Sequence, residues 1–108
     1  MGVTKAFEFS AKENQLATYA KALAHPARIA ILQFLLKKQA CMCGDIVEEL
    51  PLSQSTVSQH LKELKEAGLI KGTIEGAKVC YCIDEKGWAA AKAGLHQLFN
   101  AYEGSGCC

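Results

Sequence analysis

No stretch of this chain holds the ~20 consecutive apolar residues that a membrane-spanning helix needs, although half of its 108 residues are apolar. That absence excludes a helical span. The first residues show no basic segment followed by an apolar core, so no export signal is read there. Met1-Gly2 does not continue as a myristoylation motif, because position 6 is Ala where Ser or Thr is required. The expectation is a cytoplasmic protein with no membrane partner. Charge of one sign is also scarce: 12 Lys and Arg stand against 11 Asp and Glu, a formal net charge of +1. Between Ser53 and Lys78, Lys62, Lys65, Lys71 and Lys78 are offset by Glu63, Glu66 and Glu75. Non-specific attraction to phosphate is therefore modest, and a nucleic-acid partner would have to be held by doubled contacts and helix N-termini.

Internal repeats and low-complexity segments are missing too, and the length fits one domain. The expected organisation is a folded unit over 1–103, followed by a flexible cysteine-containing tail over 104–108. A chain of this size buries somewhat under about two-thirds of its unfolded surface, so a second subunit would help to stabilise it.

Local signals divide the chain into elements. Ser10-Ala-Lys-Glu13 fits a capping box, and Leu16, Tyr19 or Ala20, and Leu23 line one side of the helix that follows. That helix ends near His25, because a residue before proline avoids helical backbone. Pro26 suits the first position of a second helix reaching about Lys38. Ile31, Leu32, Leu35 and Leu36 form its core face, and Lys37 and Lys38 favour its negative end. A short third helix is expected over Asp45–Leu50, stopped by Pro51. Leu69–Glu75 and Lys78–Asp84 are β-prone runs joined around Gly76-Ala77, the pattern of a hairpin. Asp84 caps a last helix in which Trp88, Ala91, Leu95, Leu98 and Tyr102 recur at heptad spacing. Two flanking helices with separate apolar stripes point to self-association.

The most informative segment lies between the third helix and the hairpin. Val57, Leu61 and Leu64 fall at i, i+4 and i+7 and define one buried stripe. Ser55, Thr56, Ser58, Gln59 and Lys62 point elsewhere, and most of them are uncharged groups that both donate and accept hydrogen bonds. Such side chains suit base edges in a major groove, where Gln pairs with adenine in bidentate fashion. Gly68 stands where a left-handed C-terminal cap is expected. The fold class is thus mainly α with a small β-hairpin: three helices, a recognition helix, a β-wing and a last helix, dimerising through the first and last helices.

Ala22-Leu-Ala-His-Pro-Ala-Arg-Ile-Ala-Ile-Leu32, Gly44-Asp-Ile-Val47 and Ser53-Gln-Ser-Thr-Val-Ser-Gln-His-Leu61 together closely resemble the ArsR/SmtB repressors, over nearly the whole chain. The resemblance implies a homodimeric winged helix-turn-helix on double-stranded operator DNA, released by a thiophilic ion or an oxidant. Carried over, Gln54, Ser55, Thr56, Ser58 and Gln59 face the groove, His60 and Lys62 lie near the backbone, and Lys71 and Lys78 flank the wing. The family often has Arg where this chain has Gln59, which alters the base read there.

Six cysteines form three pairs: Cys41-x-Cys43, Cys80-x-Cys82 and Cys107-Cys108. Paired thiols in a cytosolic protein are ligands or redox groups more often than structural bridges. Soft thiolates select Zn, Cd and, by the same logic, As(III). An i, i+2 pair on a strand projects both sulfurs from one face, so Cys80 and Cys82 point together. Cys41 and Cys43 precede the third helix, where a winged helix carries a strand that pairs with the wing; two thiol units then converge. The competing reading is inert packing, since cysteine is among the most buried residues. In that reading Val79, Tyr81 and Ile83 face the core, Cys80 and Cys82 turn away, and the two pairs sit on opposite sides of the sheet. The family's Cys-Val-Cys-Asp-Leu motif is one residue out of register here, and its third thiol corresponds to Val47, so that three-coordinate site is not copied across.

His25 reads as a helix cap, His60 as a structural group or phosphate contact, and Arg28 as a salt-bridge partner at the helix ends. His96 lacks the Asp-x-His and His-x-x-Glu partners that build a zinc site on the last helix of some relatives. The overall expectation is a repressor, not an enzyme, that senses arsenite first, or Zn or Cd, through Cys41, Cys43, Cys80, Cys82 and less directly Cys107 and Cys108. Sensing of oxidant or persulfide by the same fold is the alternative. A thiol oxidoreductase would need a different frame around its Cys-x-Cys, and a protein-interaction module would not need the uncharged outer helix face.

Overall fold

The computed structural model describes residues 6–43, 46, 50–75 and 78–104, with backbone alone at 6, 43, 74, 75 and 78. A 3₁₀ turn at Ala6–Glu8 leads into α1, Ala11–Leu23. The capping box forms: Glu13 N–H donates to Ser10 Oγ, and Ser10 N–H donates to Glu13 Oε1, both at 3.0 Å. Helix α2, Pro26–Lys38, starts on His25, whose Nδ1 accepts from Ala27 N–H at 3.0 Å. It ends at Gln39, which takes left-handed backbone and returns its N–H to the Leu35 carbonyl.

Helix α3, Gln54–Glu66, is the expected recognition helix, with Ser53 as N-cap. Its end is closed by Gly68 at φ +86° and by Leu69 N–H donating to the Leu64 carbonyl at 3.1 Å. That six-to-one bond with a left-handed glycine is a Schellman closure, and it aims the chain directly into β2. Strands β1 (Met42–Cys43), β2 (Ile70–Glu75) and β3 (Lys78–Ile83) form an antiparallel sheet in the order β1-β3-β2. Helix α4, Glu85–Asn100, starts on Asp84, whose Oδ1 accepts from Gly87 N–H at 3.1 Å.

One apolar core joins these elements. Ile31 and Leu35 of α2, Val57 and Leu64 of α3, and Leu69 and Ile70 at the root of β2 are fully buried. Tyr19 and Ala22 of α1 and Ala91 of α4 close it from the other side. At position 19 or 20, Tyr19 is the residue that turns inward. Leu36 does not join the core as its spacing suggests: it is exposed, on the rim of a cavity at the C-terminal end of α2. Of the short helix expected over Asp45–Leu50, residues 45 and 47–49 lie outside the described residues, as does the 105–108 part of the tail; Ile46 is helical and buried.

Candidate functional site

Helix α3 presents two chemically different faces. Val57, His60, Leu61 and Leu64 are buried, whereas Gln54, Ser55, Thr56, Ser58, Gln59 and Lys62 are exposed. Hydrogen bonds order part of the outer face. Ser53 Oγ accepts from Thr56 N–H at 3.3 Å and donates to Thr56 Oγ1 at 2.9 Å. Ser53 and Ser55 hydroxyls are 3.2 Å apart, and Gln59 Nε2 donates to Glu63 Oε1 at 3.1 Å. Gln59 is thereby held extended along the helix surface. The helix N-terminus, with Gln54 and Ser55, is exposed.

His60 corrects the expectation that it lies near the nucleic-acid backbone. It is only 8% exposed and points inward, accepting from Arg28 Nε at 3.1 Å through Nδ1. Arg28 also donates from Nη1 to the Lys21 and Ala22 carbonyls at 3.2 and 3.4 Å. It therefore ties the end of α1 to α3 by hydrogen bonds rather than by the expected salt bridge. The His25 ring stands over His60 with centroids 4.4 Å apart. Burial, and then the neighbouring His25 and Arg28 charges, hold the His60 pKa below its ordinary value, against a smaller opposing pull from Glu63. The signal in the sequence was the spacing Val57, His60, Leu61, Leu64, which is a full i, i+3, i+4, i+7 stripe.

The expected wing lysines fall in different places. Lys71 is the second residue of β2 and pairs with Cys82 of β3 at the root of the hairpin. Lys78 begins β3 opposite Glu75, beside the turn; its side chain is outside the description.

The sheet brings the two Cys-x-Cys units together. Met42 pairs with Tyr81 and Cys43 with Cys80, so one further step places Cys41 across from Cys82. Residues directly opposite in an antiparallel pair share one face. Cys41 and Cys82 are joined in a disulfide with Cα atoms 4.3 Å apart, across a separation of 41 residues. Met42, Ile70, Tyr81 and Ile83 pack toward the core from the other face. Cys80 and Cys82 do point away from that core, as the inert reading had it, yet Cys41 meets Cys82 because it shares that side. Cys80 and Cys82 are buried and Cys41 is exposed. Cys80 is a bonded cysteine as well. Val79, nearer the hairpin tip, is 44% exposed and leaves the core-facing set. Among the described residues, no three His, Cys, Asp or Glu side chains converge in a ligand cluster. Cys107 and Cys108 lie outside the described residues.

These two features, an outward polar helix and a thiol-bearing sheet at the wing root, sit on a backbone that known regulators share. A family model described as a helix-turn-helix domain matches residues 23–73. The HTH-type transcriptional regulator CmtR of Mycobacterium tuberculosis is 37% identical over 92 residues, which covers 85% of this chain and 77% of CmtR. The chain belongs to the ArsR/SmtB family of transcriptional regulators. Among solved structures, a homodimeric winged helix-turn-helix DNA-binding domain from Mycobacterium bovis, a possible ArsR-family regulator, superposes with a TM-score of 0.66 at 28% identity, covering 93% of this chain and 88% of that one. A possible transcriptional regulator for arsenical resistance superposes equally well, at 29% identity over 79% of this chain and 83% of that one. As an ArsR-family member the chain is a DNA-binding regulator and not an enzyme. Among the described residues no helix is long and apolar enough to cross a membrane.

Proposed function

We propose that this ArsR-family protein is a homodimeric repressor that leaves its operator when the paired thiols at the wing root are engaged by a thiophilic signal. The observation that carries the reading is the meeting of Cys41 with Cys82 across β1 and β3. Two soft sulfurs within bonding reach suit As(III) first and Zn or Cd next when they are reduced. One structural relative, a possible transcriptional regulator for arsenical resistance, favours the same ligand class.

Engagement of these sulfurs has a short mechanical route to the DNA-facing helix. Cys82 is two residues before Asp84, whose N–H donates to the Leu69 carbonyl at 3.0 Å. Leu69 in turn is bonded to Leu64 of α3. Fixing β1 against β3 therefore fixes the exit of α3, and in a two-fold dimer it sets the spacing of the two recognition helices. The coupling required is small, since about 1.4 kcal/mol is tenfold in affinity. The dimer itself is favoured by the apolar residues exposed on α4 and before α1, and by the homodimeric state of the Mycobacterium bovis relative.

The disulfide favours a second signal acting at the same place. Peroxide would oxidise the two thiols to the disulfide while itself being reduced to two waters. Operator affinity separates the readings. Fluorescence anisotropy on duplex DNA from the region upstream of the gene should show tight binding by reduced protein. Arsenite should weaken it at least about tenfold, and Cys41→Ser or Cys82→Ser should abolish that response. Weakening by peroxide in metal-free buffer, with no response to arsenite, selects the oxidant reading. Affinity that stays constant under every treatment removes both.

A further inference from the structure

A cavity of about 450 Å³ opens beside the disulfide, between the C-terminal end of α2, the start of β1, the wing root and the first turn of α4. Cys41 and Cys82 line it together with Lys71 and Glu85, and Leu35, Leu36 and Ile83 supply an apolar wall. Lys71 and Glu85 are both exposed. Lys71 pairs with Cys82 in the β2–β3 register, so its side chain leaves the sheet on the sulfur face, with Cβ atoms about 5 Å apart.

We infer that this cavity is a docking and exchange site for a zwitterionic low-molecular-weight thiol of the cysteine or glutathione type, and that Cys41 is the sulfur that carries the mixed disulfide. The inference rests on the disulfide–dithiol reading of the Cys41–Cys82 pair. Lys71 takes the carboxylate of the incoming thiol and Glu85 takes its ammonium group, while the apolar wall accommodates the methylene stem. Exposure decides which sulfur is attacked. Cys41 is exposed and Cys82 is only 8% exposed, so a thiolate reaches Cys41 first.

The exchange balances in two steps. The thiolate RS⁻ attacks Cys41 Sγ, forming Cys41–S–S–R and breaking the Cys41–Cys82 bond. Cys82 departs as a thiolate, and it takes up the proton that the attacking RSH has lost. A second RSH then attacks the mixed disulfide, releasing RSSR and restoring Cys41 as a thiol. Two RSH are oxidised and one protein disulfide is reduced.

The test uses the full chain in a Cys107→Ser, Cys108→Ser background, so that the terminal thiols do not react. With Cys82→Ser added, incubation with glutathione disulfide should place one glutathione on Cys41, located by peptide mass mapping. For the intact Cys41–Cys82 pair, Lys71→Glu should slow reduction by glutathione about five- to tenfold, as expected for reversing the charge that faces the carboxylate of the incoming thiol. Reduction by 2-mercaptoethanol, which carries neither carboxylate nor ammonium, should change less than about twofold, and Lys71→Gln should fall between the parent chain and Lys71→Glu. Glutathione on Cys80 in preference to Cys41, or equal slowing for both thiols, overturns the site. Exchange at Cys41 with no change in operator affinity keeps the docking site and removes the switch. Operator release on oxidation without any dependence on Lys71 does the reverse.

Discussion

Arg28 donates through Nε to Nδ1 of His60 at 3.1 Å, which joins the first turn of α2 to the buried face of the recognition helix. Because Nδ1 is the acceptor, the ring is neutral and carries its proton on Nε2. Protonation would place a donor against a donor and a charge beside Arg28 and His25. Replacing His60 by Ala leaves the Arg28 N–H without its acceptor and should cost about 1–2 kcal/mol, read as a lower urea midpoint. Gln, which accepts through its amide oxygen, should recover part of that loss.

The same pair makes stability depend on pH. The folded pKa of His60 lies below its unfolded value, which is ~6.5 for a free imidazole, because burial and the adjacent His25 and Arg28 charges disfavour the cation. The unfolded chain then binds more protons as the solution is acidified. Stability from this group is complete above the unfolded pKa, begins to fail as pH drops below it, and is lost through the folded pKa. Urea midpoints should be lower at pH 5.5 than at pH 7.5, and His60→Gln should flatten that difference. An unchanged slope in His60→Gln would assign the acid sensitivity to other groups.

Gly68 and Gly87 meet where the recognition helix hands over to the wing and the last helix begins. A Cβ at Gly87 would overlap the Gly68 carbonyl oxygen, so α4 approaches this turn as closely as a glycine allows. Gly68 has open space around it but sits at φ +86°. The two substitutions to Ala should therefore destabilise for different reasons. Gly87→Ala overpacks and should cost about 1–3 kcal/mol. Gly68→Ala strains the backbone by about 1–2 kcal/mol, and Asn, which tolerates left-handed backbone, should be milder. Since both act on one contact, the double variant should fall short of the sum of the two. Chemical denaturation of the four proteins measures this directly.

The element boundaries were legible because caps mark them: Ser10 with Glu13, His25 with Pro26, Gly68, and Asp84 all act where their chemistry places them. The meeting of the cysteine pairs was not. Strand β3 alternates two sets of similar apolarity, and only the pairing of Met42 with Tyr81 decides that Cys41 shares a face with Cys82. A slip of one residue would send them to opposite sides, and nothing local in a two-residue strand sets that register. His60 kept two readings because imidazole serves a core and a phosphate equally well. The stripe it shares with Val57, Leu61 and Leu64 pointed inward, but its partner Arg28, 32 residues earlier, carried no local signal. Lys71 lies on the first wing strand, and the strand register, which no local signal gives, sets it opposite Cys82.

Apolar side chains left exposed gather at one end of the α1–α4 pair. Lys12 Nζ donates to Gln97 Oε1 at 2.8 Å, so the start of α1 lies beside the end of α4. Phe7 and Phe9 precede that contact, while Leu98, Phe99 and Tyr102 follow it, with Phe99 74% and Tyr102 78% exposed. If this face meets its two-fold mate, Phe99→Glu with Leu98→Glu should convert the dimer to monomer in light scattering, with the helical circular dichroism kept. Operator affinity should fall at least about a hundredfold, because one half-site is lost along with its share of phosphate contacts. A dimer that survives both charges would place the interface elsewhere.

If the outer face of α3 enters the groove, its uncharged groups should read bases and Lys62 should hold a phosphate, and salt dependence tells the two apart. Ser58 and Gln59 carry no charge and are exposed, while Lys62 is exposed one turn further along. Gln59→Ala should lose about 1–3 kcal/mol of discrimination at one base-pair position per half-site and leave the dependence on salt unchanged. Lys62→Ala should weaken binding to cognate and random duplex alike, lowering the salt slope by about one ion per half-site. His60→Gln should show neither signature, since its ring is turned inward toward Arg28. Its effect on affinity should track its effect on stability. Competition assays with single-base operator variants at two salt concentrations separate the three behaviours. A base-specific loss in His60→Gln, or a salt-dependent loss in Gln59→Ala, would mean that α3 docks with a different face than the one its buried stripe leaves outward.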